Sequence, residues 1–425
     1  MNLIYNSIIR IISYNIDYDY FNPPNIINDE QTIGTGFFIK PNIILTCAHV
    51  VENAKTLYYT IPTISDKKYK LKILGLAPDI DIAILLSIDY ESPHILSLTN
   101  SDNIKLEDSI ITIGFPLGQD KIKITKGIIS GVQFSNIQID SAINGGNSGG
   151  PLILNNKVIG IVSSKVENAS GVGYAIPSNL LYIFDRKKQS SIIYNSCNFY
   201  AKFSNTPNNY IKIINNDVVK SGYTLSYIAD YSPLKKFNID IGDVIFEFDN
   251  KQINNFGEIN INQFKYNLLD YIQRLNIDNE YMIKYFSKNN QSINTIIIKF
   301  SNQNMMGIKK IIPIIDKLDY INIGGLILTP LTQNIIVNNP TKFRYFYKYN
   351  NVLISRVIVV NILPNSYFNI SENINKCDII SKINNINIYT IDDIKNILKN
   401  ISSNDRFLQI ETNRNKLELI DVKCI

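Results

Sequence analysis

Tryptophan is absent from the 425-residue chain, cysteine occurs four times and histidine only twice. That count excludes sites built from several imidazoles. Any reaction that needs a histidine base has two candidates, His49 and His94. Cys47, Cys197, Cys377 and Cys424 include no Cys-x-x-Cys pair, so neither a zinc module nor a disulfide framework is indicated, and no metal or other cofactor is expected. Reduced thiols in an intracellular compartment are the expectation. No apolar run reaches the roughly 18 residues of a membrane span. The start, "MNLIYNSIIRIISYNIDYDYF", lacks an uninterrupted apolar core or a small-residue cleavage site, so it reads as a first strand and not as a signal peptide. Basic residues are nowhere dense. "DRKK" at 185–188 reads as a solvated helix end or linker, and a net charge of +5 gives no reason to expect nucleic acid or a membrane as partner.

Glycine, by contrast, is concentrated in one place, "NGGNSGGPL" at 144–152. Clustered glycines mark backbone that adopts φ > 0 or passes close to another group. The stretch has no Lys-Ser/Thr ending of a phosphate loop. Two readings remain at this point. One is a glycine-rich surface turn; the other is a nucleophile loop in which backbone N–H groups of Gly146, Asn147 and Ser148 border a hole beside the Ser148 hydroxyl.

A nucleophilic serine needs a base, and the base needs an orienting acid. His49, in "IILTCAHVV", follows "GTGFFI" after a short turn and sits at a strand end, where side chains face a cleft. His94, in "ESPHILSL", reads as a loop or strand-edge residue. "APDIDIAILLSI" supplies Asp81 directly before an apolar strand. Asp79 is the fallback acid and reads more naturally as a solvated turn residue.

The order His49, Asp81, Ser148 resembles that of chymotrypsin-fold proteases. "TCAHVV", "DIDIAIL", "GFPLG", "DSAINGGNSGGPL" and "VIGIVSS" followed by "GVGYAIPSN" resemble, in order, the motifs of the HtrA/Deg serine proteases. Two positions depart from the family: Cys47 stands where Asn or Ala is usual, and Gly145 where Pro or Arg is common. Neither is expected to touch the proton chemistry. Short β-rich runs from residue 7 to about 183 suit a pair of antiparallel barrels. "PSNLLYIFDRKKQ" then starts a helix with Ser178 as a plausible N-cap.

Beyond this, "SGYTLSYI", "SPLKKFNIDIGDVIFEFDNKQI" and a helix-patterned "NQFKYNLLDYIQRL", with Phe264, Leu268, Tyr271 and Ile272 on one face, resemble a PDZ domain. "VLISRVIVVNILPNSYFNI" and "KCDIISKINNINIYTIDDIKNILKNI" repeat the pattern with Lys376-Cys377-Asp378 replacing the Gly-Asp turn. "INIGGLILTPLTQ" (321–333), between the two units, resembles a stretch of the plant-type Deg proteases. The fold class expected is an all-β, chymotrypsin-like double β-barrel followed by two α+β PDZ-like domains. The domains are 1–190 (trypsin-like protease), 195–305 (PDZ) and 310–425 (degenerate PDZ-like).

The resemblance implies a serine endopeptidase acting on unfolded or damaged proteins, with a chaperone-like holdase or scaffold as the alternative. The oxyanion would rest on Gly146, Asn147 and Ser148. Ile143, Ile161 and Val162 are expected to line a small apolar substrate pocket, because no acidic residue there could meet a cation. Family members assemble as trimers or multiples of trimers, so a homo-oligomer is expected, with "YDYF" at 18–21 either a contact between subunits or an ordinary packed turn. A peptide ligand at the first PDZ domain is a family expectation, although "NYIKIINNDVVK" holds no clear carboxylate-binding loop. Cytoplasm or nucleus is the expected location, with the virion added if the Asn-, Ile-, Lys- and Tyr-rich composition reflects the AT-rich genome of a giant virus.

Overall fold

The computed structural model describes residues 2–133, 136–165, 171–185, 192–303, 305–401 and 406–424. Contacts divide it into two units, one of Met1–Asn15 with Glu30–Gln303 and one of Ile16–Asp29 with Asn304–Ile425.

The first unit begins with two closed antiparallel barrels. β1 (Ile8–Tyr18), β2 (Ile26–Lys40), β3 (Ile43–Cys47), β4 (Ala54–Ile61), β5 (Ser65–Ala77) and β6 (Ile82–Ser87) close in the order β1-β2-β3-β6-β5-β4. β7 (Ser109–Gly114), β8 (Lys123–Gln133), β9 (Asn136–Ile139), β10 (Pro151–Leu154), β11 (Lys157–Lys165) and β12 (Gly173–Pro177) close in the order β10-β11-β12-β9-β8-β7. Closure removes strand edges, and β-branched side chains fill the interiors. Ile8, Ile11, Phe37, Phe38, Ile44 and Tyr59 have no more than 0% exposure in the first barrel. Full burial of such side chains contributes about 1.5–3 kcal/mol each. This is the pair of antiparallel barrels that the short β-rich runs suit, and it matches the chymotrypsin-like double barrel that the resemblance implies.

A six-stranded sheet follows, with β13 (Ala201–Asn205), β14 (Tyr223–Ile228), β15 (Val244–Phe248), a short β16 (Lys251–Gln252), β19 (Glu280–Ser287) and β20 (Ser292–Lys299). The expected helix over 262–275 is mostly something else. Phe264–Asn267 is strand β18, paired with β17 (Glu258–Ile261), and only Leu268–Ile272 is helical (α1). Asn267 explains the switch: its side chain accepts from the Leu269 N–H at 2.9 Å, capping a helix that starts there and no earlier. The stretch after β12 is likewise a 3₁₀ segment, Ser178–Asp185. Ser178 Oγ donates to the Thr99 carbonyl and does not cap the segment.

The second unit holds a seven-stranded sheet of β21 (Ile321–Ile323), β22 (Leu326–Pro330), β23 (Val357–Ile362), β24 (Ile379–Ile383), β25 (Ile386–Asn387), β26 (Phe407–Thr412) and β27 (Leu417–Asp421). Helix α2 (Ile391–Lys399) opens on a capping box between Thr390 and Asp393. Tyr20 is 3% exposed and packs with Ile308, Leu318, Leu331 and Ile335 of this unit, while Tyr18 Oη donates to the Asp316 carbonyl at 3.0 Å. The "YDYF" aromatics are therefore packed within the chain itself. Among the described residues no helix is long and apolar enough to cross a membrane.

Candidate active site

β3 runs antiparallel to β6 with Cys47 opposite Ile82, so the turns that follow β3 and precede β6 meet at one barrel rim. His49 lies in a single 3₁₀ turn, Ala48–Val50, and Asp81 is the last residue before β6. Asp81 has φ 57°, a left-handed conformation that Asp tolerates better than most residues. That conformation places its main chain and side chain on the same turn: Ala48 N–H donates to the Asp81 carbonyl at 3.1 Å and His49 N–H to Asp81 Oδ1 at 3.0 Å. His49 Nδ1 lies 2.9 Å from each carboxylate oxygen. Burial alone would raise the Asp81 pKa. The hydrogen bonds and charge of His49, with a further bond from Ser163, outweigh it and hold the carboxyl below its ordinary value.

Ser148 is half-buried in the loop before β10, and its hydroxyl donates to the Ser163 carbonyl at 2.8 Å. Ser163 Oγ in turn donates to Asp81 Oδ2 at 2.7 Å. One residue of β11 thus links the serine to the acid. Nothing in "VIGIVSS" marks it as functional, because its role depends on a pairing across two barrels. Thr35 is a second such residue. Fully buried, it donates through Oγ1 to the Gly146 carbonyl (2.7 Å), accepts from Phe115 N–H (3.1 Å), and donates its own N–H to the Ser148 carbonyl (2.9 Å).

Those bonds fix the glycine loop. Asn147 N–H donates to the Asn144 carbonyl at 3.0 Å, closing a turn that needs Gly146 at φ 94°. A Cβ on Gly146 would collide with the Phe115 carbonyl oxygen. Among the described residues the N–H groups of Gly146 and Ser148 have no protein acceptor, whereas that of Asn147 is spent on its turn. Two of the three expected oxyanion donors are open to a ligand. Gly146→Ala is expected to cost about 10²–10³ in kcat, the scale of losing an oxyanion donor, with little change in KM; steady-state kinetics on a peptide check it.

The remaining candidates fall elsewhere. Asp79, expected as a solvated turn residue, accepts from Ser196 N–H (2.7 Å) and Ser196 Oγ (2.6 Å), a tie between distant parts of the first unit. His94 sits in a turn closed by Ser92, whose N–H donates to the Pro41 carbonyl. Ile161 and Val162 are 1% and 0% exposed and belong to the barrel cores. β11 is covered on both faces, so their apolar character serves packing. Ile143 packs where a Cβ on Gly173 would stand. Cys47 is fully buried, its Sγ donating to the Val162 carbonyl at 3.3 Å, and burial followed by the Asp81 charge pushes its thiol well above the ordinary value. Contrary to expectation this thiol borders the proton chemistry: Cys47 Sγ, a ring nitrogen of His49 and an Asp81 oxygen lie within 4.8 Å of one another.

Residues 34–161 match the trypsin-like peptidase domain family. Over its whole length the chain is 24% identical to "Putative protease Do-like 3, mitochondrial" of Arabidopsis thaliana, covering 77% of that protein. It is 39% identical to a "Probable periplasmic serine endoprotease DegP-like" of Chlamydia trachomatis, over 34% of this chain and 31% of that one. The chain carries a trypsin-like peptidase domain, and the relatives it resembles are serine proteases of the Do-like and DegP kind. A solved structure, "HtrA-type protease AlgW with tripeptide", superposes with a TM-score of 0.54 at 19% identity, covering 71% of this chain and 95% of that one, which shows the shared fold. The chain spans 65% of a further HtrA/Deg relative, "Protease Do-like 4, mitochondrial" of Arabidopsis thaliana, at 27% identity.

Proposed function

We propose that this serine endopeptidase cuts unfolded or damaged proteins with His49, Asp81 and Ser148 as its triad. The observation that carries the reading is the His49–Asp81 pair, with Nδ1 at 2.9 Å from both oxygens, joined through Ser163 to the hydroxyl of Ser148. Ser148 Oγ turns from the Ser163 carbonyl and attacks the peptide carbonyl while His49 Nε2 takes its proton. The carbonyl oxygen becomes an oxyanion held by the N–H groups of Gly146 and Ser148. His49⁺ returns the proton to the leaving amine, leaving an acyl-enzyme, and water activated by the same imidazole then releases the acid. Asp81 keeps Nδ1 protonated and stabilises the imidazolium. Active-site labelling with a fluorophosphonate, blocked in Ser148→Ala, tests the nucleophile.

The primary pocket, on this reading, is small and apolar, bounded by Ile143 over Gly173. Cleavage should fall after Val, Ile, Ala or Leu. Mass-spectrometric mapping of cuts in an unfolded substrate checks this, and dominance of Lys or Arg at the cut would refute it.

We also infer that 195–305 and 310–425 are PDZ-like, each built as an antiparallel sheet with a short helix. In the first of them "NYIKIINN" is occupied by a helix, Asn208–Ile214, so a peptide carboxylate would have to be held by other residues. Assembly into a trimer or a multiple of trimers is part of the same proposal, and light-scattering mass of the purified protein is its measurement.

A further inference from the structure

Cys47 is a departure from the HtrA/Deg pattern, and it stands directly behind the imidazole–carboxylate pair. Its Sγ, a ring nitrogen of His49 and an Asp81 oxygen lie within 4.8 Å of one another. Thiolate, imidazole and carboxylate are the three donor types that zinc accepts, and in a tetrahedral site such atoms stand roughly 3.3–3.8 Å apart. Nδ1 stands 2.9 Å from each Asp81 oxygen and has to open slightly, while the distance to the sulfur closes from no more than 4.8 Å. His49 can supply that movement, since its side chain is 45% exposed, while Cys47 and Asp81 are fixed by paired strands and a bonded turn. The scattered cysteines give no metal signature along the sequence. The fold creates one by bringing Cys47-Ala-His49 against Asp81.

We propose that Cys47, His49 and Asp81 form an inhibitory site for a thiophilic divalent cation of the zinc type. Binding would release one proton, from the Cys47 thiol, to solvent. The imidazole proton moves from Nδ1 to Nε2 as Nδ1 takes the metal, and the carboxylate binds already ionised. One dication then meets two anionic ligands, so the cluster is neutral, and the metal offsets the cost of a thiolate beside a carboxylate. Water on the exposed side of His49 completes four-coordination. The consequence for catalysis follows from the tautomer: an Nε2 that carries hydrogen cannot accept the Ser148 proton. The inhibitory effect rests on the proposed triad, but metal binding does not.

Two measurements separate these. In protein carrying Ser148→Ala, Cys377→Ser and Cys424→Ser, cadmium should produce an ultraviolet thiolate-to-metal charge-transfer band that saturates at one cadmium per chain. Adding Cys47→Ala should remove the band, and adding Cys47→Ser serves if circular dichroism shows that the alanine variant has lost its fold. In the otherwise unmodified protein, zinc should inhibit peptide cleavage reversibly by chelator. The free zinc needed for half-inhibition should rise about a hundredfold in Cys47→Ala, at least the loss seen when a metal site's supporting residues are removed. A band that is absent from the parent or persists without Cys47 overturns the proposal, as does equal zinc sensitivity of the two active proteins. If the band appears and depends on Cys47 but no form of the chain cleaves peptide, the site stands and the proposed function falls.

Discussion

Replacing Ser148 with alanine is expected to lower kcat on an unfolded substrate by about a millionfold, the scale on which a triad enzyme fails without its nucleophile. The loss should be confined to chemistry. Ser148 Oγ makes one hydrogen bond, to the Ser163 carbonyl, and the loop is held by other groups: Thr35 N–H on the Ser148 carbonyl, Thr35 Oγ1 on the Gly146 carbonyl, and Gly149 N–H on the Val162 carbonyl at 2.7 Å. None of these uses the hydroxyl. Thermal unfolding of the variant should therefore track that of the parent while casein cleavage disappears. Comparable cleavage by the variant would remove Ser148 from the mechanism, and a large drop in unfolding temperature would show that the hydroxyl serves the loop's structure.

The parts of this site that were legible in the sequence are those that use scarce residue types. With two histidines in the chain, His49 needed only a strand end and a nearby acid to stand out, and the clustered glycines around Ser148 had no role in a strand or helix interior. Thr35 and Ser163 were not legible, because threonine and serine in a β-rich segment are ordinary and their function is set by which carbonyl or carboxylate the folded barrels bring opposite them. The same limit applies to Cys47, whose neighbours His49 and Asp81 meet it only after β3 pairs with β6. Local periodicity misled at 262–275. Phe264, Leu268 and Ile272 are buried as a helical face would require, yet the first of them is buried from a strand. Tyr20 shows the longest reach of all, since residues near position 20 pack with a cluster that begins at Ile308, a separation that no window of sequence can register.

Asp81→Asn is expected to lower kcat by about 10⁴-fold with the backbone of the site unchanged, the scale of installing the wrong imidazole tautomer in a triad. Asparagine tolerates the left-handed φ of 57° that this position imposes, and its carbonyl oxygen can still accept from His49 N–H or Ser163 Oγ. Its amide nitrogen, however, donates. Facing Nδ1, it forces that atom to accept, which moves the imidazole hydrogen to Nε2 and removes the base. A carboxylate in the same place does a second thing, which pH exposes. The folded protein holds the Asp81 carboxyl below its ordinary value, because His49 and Ser163 stabilise the ionised form by more than burial disfavours it. The stabilisation this supplies is complete above the unfolded carboxyl's value of ~3.9 and is lost as pH falls through the lower folded value. Urea unfolding of parent and Asp81→Asn should accordingly show the parent ahead at pH 7, with the gap narrowing as the solution is taken below about pH 4. A gap that stays constant into acid would mean that the carboxylate's charge contributes nothing to the fold. A kcat within tenfold of the parent's at neutral pH would mean that His49 is oriented by something other than Asp81.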